Sequence, residues 1–101
     1  MISVNTDNGF VVSILDETVS INNADSVRND LKKAIASNPG QDIIIDMSRV
    51  NFIDSSGIAM FVNFVHSLTG PRRKMSMINL APLIKNTIKQ LNLTKFLNAK
   101  S

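Results

Sequence analysis

The run Asp42-Ile43-Ile44-Ile45-Asp46-Met47 constrains the fold more than any other segment of this chain. Three consecutive β-branched residues in a short, nearly continuous apolar stretch read as a central strand covered on both faces, as in parallel sheets. Asn38-Pro39-Gly40 in front of it is a firm helix stop. Behind it, Ile58, Phe61, Val62, Val65 and Leu68 recur at helical spacing up to Gly70-Pro71. A strand set between two helices implies crossover connections.

The remaining segments extend that pattern. Ile2–Asn5 and Phe10–Leu15 flank the turn signal Asp7-Asn8-Gly9 and read as a hairpin. Residues 16–22 form a polar connection. Asn23 then stands as an N-cap before Ala24, Val27, Leu31, Ala34 and Ile35, which recur at helical spacing. Lys74–Leu80 alternates and reads as a further buried strand. Pro82 suits a helix's first turn, continued by Leu83, Ile84, Ile88 and Leu91. Phe96 and Leu97 are expected to pack back on the body. The expectation is an α/β protein in the order β-β-α-β-α-β-α, a four-stranded mixed sheet with three or more helices and right-handed crossovers. Three helices cannot cover both sheet faces, so one face should be partly open. At 101 residues the chain fits a single domain, 1–101.

Composition narrows the function classes. The net charge of +3 invites nucleic-acid binding, but the basic residues are scattered in the sequence and only Arg72-Arg73-Lys74 clusters, reading as a solvated loop. Five Phe with no Trp or Tyr give few stacking platforms for bases. No nucleic-acid partner is expected. Without cysteine there are no disulfides and no thiolate metal sites. No apolar run approaches the roughly 18 residues needed to cross a bilayer, and no basic-then-apolar leader opens the chain. A cytoplasmic protein without metal, cofactor or membrane contact is expected.

The chemistry concentrates at Asp54-Ser55-Ser56-Gly57, between the isoleucine strand and the second helix. Carboxyl ends of strands are where α/β proteins place functional groups. Read locally, Asp or Ser caps the helix and Gly57 permits close packing. A nucleophilic serine would need a base, and the sole histidine, His66, lies about 15 Å along the same helix at 1.5 Å per residue. The Gly-x-Ser-x-Gly elbow is absent. An enzyme is therefore not expected. A phosphate on an exposed serine here would be tolerated at the helix's positive end and would add about −1.5 to −2 charges.

The residues 42–58 resemble the signature of STAS domains, specifically bacterial anti-sigma factor antagonists. Met77–Ile84 and Leu91–Phe96 resemble that family's last strand and helix, so the likeness spans nearly the whole chain. It implies partner switching. The unmodified antagonist binds an anti-sigma factor that is also a serine kinase of the histidine-kinase-like ATPase fold. Phosphorylation of the serine directly after the Asp releases the partner, and a metal-dependent serine phosphatase reverses the modification. By position that acceptor is Ser55, with Ser56 a secondary hydroxyl and Asp54 shaping the loop. The resemblance also implies partner contacts through the loop Asp54–Gly57, the start of the second helix and the connection Glu17–Asn23, with Ser20 and Asn23 in it. Family members commonly carry an acidic residue where this chain has Ser20, which suggests a different kinase. The chain also stops short of the family's usual terminal helix, which leaves the last strand edge or sheet face less protected. The competing expectation is a constitutive STAS subunit of a lipid-transport or signalling assembly, with no phosphate cycle.

The second helix adds one expectation from spacing. With Ile58, Phe61, Val62, Val65 and Leu68 inward, its outward stripe is Ser56, Met60, Asn63 and Ser67, flanked by Phe64. Met60 and Phe64, at i and i+4, would continue the Ser55 surface as an apolar partner-binding patch.

Overall fold

Two short strands unannounced by the sequence organise the molecule around its functional loop. The structure is a computed structural model describing residues 1–68 and 73–100. Its elements are β1 (Ile2–Asn5), β2 (Phe10–Ile14), β3 (Thr18–Val19), α1 (Ala24–Ser37), β4 (Ile43–Asp46), β5 (Phe52–Ile53), α2 (Ser55–Ser67), β6 (Met75–Ile78) and α3 (Pro82–Gln90). The main sheet runs β1-β2-β4-β6, with β1 antiparallel to β2 and the other neighbours parallel. The expected order and four-stranded mixed sheet are therefore present. The additional strands β3 and β5 pair in parallel as a separate two-stranded sheet, with Val19 opposite Ile53.

The isoleucine run is central, but it is not covered equally on both faces. Ile43 and Ile45 are fully buried with Phe10, Val12, Ile14, Met75 and Met77. The alternating residues Val11, Ser13, Ile44, Asp46, Ser76 and Ile78 are only half-buried. Helix α1 packs against β1, β2 and α2, which accounts for the dry face. The serines and the aspartate on the other face fit a surface that water still reaches.

Local chemistry explains the helix ends. Val27, Leu31 and Ala34 bury the stripe of α1, and Asn38 closes it, its backbone N–H donating to Ile35 O and its side-chain amide to Ala34 O. Gly40 then turns at φ +77. Arg73 also reaches this end, its Nη2 donating to Ile35 O at 3.2 Å and Asn38 O at 2.6 Å. A cation on the last carbonyls of a helix opposes the helix dipole favourably. Arg73 is thus a brace, where the sequence suggested a solvated loop; Arg72, Gly70 and Pro71 lie outside the described residues.

At the far edge β6 ends at Ile78, and Asn79, with a φ of +58, breaks the alternation and turns Leu80 into the core. The edge of β6 is not left bare. Met77 N donates to Asn98 O and Lys100 N to Met77 O, so residues 98–100 pair along it. Leu97 is buried as expected, whereas Phe96 stays 39% exposed with its ring 5.1 Å from that of His66.

Candidate functional site

The two-stranded sheet explains why two loops distant in sequence form one surface. β3 and β5 run parallel and in register, so they release Ser20 and Asp54 side by side. Asp54 N donates to Val19 O at 3.2 Å, and Asn51 N donates to Glu17 O at 2.7 Å, fastening the strands at both ends.

Asp54 is the N-cap of α2. One carboxylate oxygen accepts from Gly57 N at 2.9 Å and the other accepts from Ile21 N at 3.1 Å. The Gly57 amide above all holds this carboxyl below its ordinary value, burial opposing, with the Ile21 and Ser56 amides adding to the lowering. The aspartate is therefore ionised, sits at the positive end of α2, and ties the first loop to the second.

Gly57 is buried where no side chain fits. A Cβ there would stand 2.6 Å from Val19 O and 2.6 Å from Ile53 Cγ1. The glycine thus lets the start of α2 lie directly on the β3–β5 pair. Ser55, the first helical residue, is exposed, and Ser56 is half-buried.

The connection Ser20–Asn23 is braced from within. Asn23 occupies the cap position of α1, but its side chain makes no cap bond to that helix. Its Oδ1 instead accepts from Ser20 N at 2.8 Å, and its Nδ2 donates to Thr18 O at 2.7 Å and to Asp16 at 3.2 Å. Ser20 carries the helix start, its carbonyl accepting from Ala24 N at 2.7 Å and its Oγ from Asn22 N at 3.2 Å. The polar side chains are spent on loop shape, and Ile21 between them is left 76% exposed.

A groove of about 270 Å³ runs between the starts of α1 and α2, with Ile21, Arg28, Ser56, Ala59 and Asn63 around it and Met60 beneath. The structure thus brings Ser20, Asn23, Asp54, Ser55, Ser56, Gly57 and Asn63 to one end of the molecule. The expected apolar patch on α2 is a correction. Met60 and Phe64 are 4% and 0% exposed, facing the core. Helix α2 packs on α1 as well as on β5, which rotates its buried stripe to Ile58, Met60, Phe61 and Phe64 and leaves Val62 and Val65 half-buried. The apolar group at the surface is Ile21 instead. Its signal was available, as an isoleucine in an otherwise polar connection with no periodic partner. On the other side of the loop, Phe52 and Leu83 are 50% and 65% exposed across a shallow cleft with Thr87.

No group of acidic or histidine side chains fit to hold a metal occurs among the described residues, and no described helix is long and apolar enough to cross a membrane. The family model described as STAS domain matches residues 1–101. An anti-sigma factor antagonist from Mycobacterium paratuberculosis is similar in structure at 21% identity, covering 98% of this chain and 83% of that one, with a TM-score of 0.83. SpoIIAA in its unphosphorylated form is similar at 15% identity, covering 100% and 89%, with a TM-score of 0.74. Murine Slc26a9, an anion transporter, is similar at 21% identity over 85% of this chain and 14% of its own length, with a TM-score of 0.69. No protein with a curated description matches the sequence.

Proposed function

We propose, for a chain that belongs to the STAS domain family, a non-enzymatic cytoplasmic partner switch of the anti-sigma factor antagonist kind. The unmodified protein binds an anti-sigma factor that is also a serine kinase of the histidine-kinase-like ATPase fold. Phosphorylation of Ser55 releases that partner, and a metal-dependent serine phosphatase restores binding. The observation carrying this reading is the exposed Ser55 hydroxyl on the first residue of α2, beside an aspartate whose two oxygens are already engaged. Solved structures of SpoIIAA in unphosphorylated and phosphorylated forms, both similar in fold to this chain, support it.

The geometry suggests how the switch acts. Asp54 already occupies the positive end of α2, so a phosphate on Ser55 gains little from the helix and stands next to a carboxylate. It projects outward as about −1.5 to −2 further charges on a surface that carries Ile21 at its apex. A partner that covers this surface must then desolvate unpaired negative charge, costing several kcal/mol, and about 4 kcal/mol is a thousandfold in affinity. The fold itself does not depend on the hydroxyl.

Partner contacts fall to Ser55, Ser56 and Asn63 on α2 and to Ile21 with the Ser20–Asn23 connection. Asp54 and Gly57 shape the loop rather than the contact. The test is incubation with ATP and a serine kinase of the histidine-kinase-like ATPase fold from the same genome, followed by phosphosite mapping. Label on Ser55 alone, lost in Ser55→Ala, is the expected result; label surviving in Ser55→Ala overturns the site. The alternative, a constitutive subunit of a larger assembly, draws on the likeness to Slc26a9 and on the exposed Phe52 and Leu83. Absence of any label together with stable co-purification of a membrane or signalling assembly would favour it.

A further inference from the structure

All eight acidic residues lie at or before Asp54. From Ser55 onward there is no acid, while seven of the eleven Lys and Arg fall there. The sheet order turns this asymmetry of sequence into an asymmetry of shape, because β6 and the closing segment occupy the edge opposite β1.

Three of those cations meet. Arg73, Lys74 and Lys95 line a cleft of about 260 Å³ at the C-terminal end of α2. Val65, Leu68, Met75 and Phe96 give it an apolar floor. Arg73 is held in place by the two carbonyls that end α1, and its Nε is buried with no partner. No ion pair engages Arg73, Lys74 or Lys95 among the described residues. One acid stands near, Asp42, whose Oδ1 accepts the backbone N–H of Lys74. Arg73, fixed on the helix end, and the exposed Lys74 and Lys95 stand over an apolar floor and form a recess for a carboxylate-bearing side chain with an apolar neighbour.

We propose that this cleft receives an acidic, leucine-containing segment of a protein partner, as a second interface separate from the Ser55 surface. Its concavity favours a side chain over a bilayer, which needs a coplanar stripe of apolar and basic residues. Phe96 is the one aromatic ring among the described residues that line the cleft, which disfavours stacked bases. Val65 lies about 15 Å along α2 from Ser55 at 1.5 Å per residue, beyond a Debye length of about 8 Å at physiological salt. A phosphate on Ser55 therefore leaves the cleft's charge unchanged, so the two interfaces operate independently.

The test is an NMR titration of the full chain with a short peptide in which Glu alternates with Leu, and in parallel with vesicles of anionic phospholipid and with duplex DNA. The expected result is saturable binding of the peptide, with shifts concentrated at Val65, Lys74, Met75, Lys95 and Phe96. In Lys74→Glu/Lys95→Glu, whose thermal melt should match the parent, peptide affinity falls at least about tenfold. A Gln-for-Glu peptide should show no saturable binding. Shifts elsewhere, or affinity unchanged by the charge reversal, overturn the proposal. So does binding of vesicles or DNA at these residues without binding of the peptide.

Discussion

The two ends of α2 solve opposite problems with opposite charges. At the Ser55 end a single carboxylate, Asp54, takes backbone amides from both its own helix and the neighbouring loop, and Gly57 removes every atom that would hold the helix away from β3 and β5. At the Leu68 end a guanidinium, Arg73, caps the adjacent helix, and cations stand over an apolar floor. The first end is braced by hydrogen bonds, with the Ser55 hydroxyl and Ile21 exposed. The second is a recess with positive charge in reserve. A single helix thereby separates the surface proposed for phosphorylation from the cleft proposed as a second interface.

Between these ends the helix must be well seated, and the largest expected effect tests that. Phe64→Ala removes a ring that is 0% exposed and should cost about 3–5 kcal/mol in urea unfolding. A cost near zero would return Phe64 to the surface and collapse the distinction between the two ends. Next in size is Gly57→Ala. Its new Cβ meets Val19 O, a backbone atom, at 2.6 Å, so a loss of about 1–3 kcal/mol is expected, with amide shifts spreading to Val19 and Ile53. Full tolerance would mean that α2 does not rest on the β3–β5 pair.

The pH behaviour of Asp54 is a smaller effect. Its folded carboxyl is lowered from 3.8, so the stabilisation it gives is complete above the unfolded value and is lost as pH falls through the folded one. A carboxyl-carbon NMR titration should show a midpoint below 3.8, tracked by the Gly57 and Ile21 amide shifts. Asp54→Asn should abolish that coupled titration. Independent titration of the two amides would show that Asp54 does not tie the loops. Smallest in stability is Ile21→Ser, within about 0.5 kcal/mol because the side chain is 76% exposed. Its effect should fall on kinase binding, weakened about tenfold or more.

Much of this contrast was readable from the sequence, and the rest was lost for physical reasons. Element order, the Gly57 packing role and a cap at Asp54 or the serine after it follow from residue types whose local rules are strong. β3 and β5 escaped because two-residue strands carry no periodicity, and their pairing joins segments far apart in sequence. Spacing alone gives one face of α2, while the helix, packed against α1 and β5, buries Met60 and Phe64 as well. Sequence shows Asn23 as a cap residue but not the direction its amide turns, which is toward Ser20 and Thr18. The cationic cleft was hidden by separation, since Arg73 and Lys95 look scattered until β6 and the closing segment pair.

The central claim is that Ser55 phosphorylation changes partner affinity without changing the fold. Isothermal titration of the kinase partner with unmodified and with Ser55-phosphorylated protein tests it most directly. The account predicts tight binding of the unmodified form and binding at least about a hundredfold weaker after modification, with superimposable amide spectra outside residues 20–23 and 54–58. Equal affinity of the two forms would contradict it.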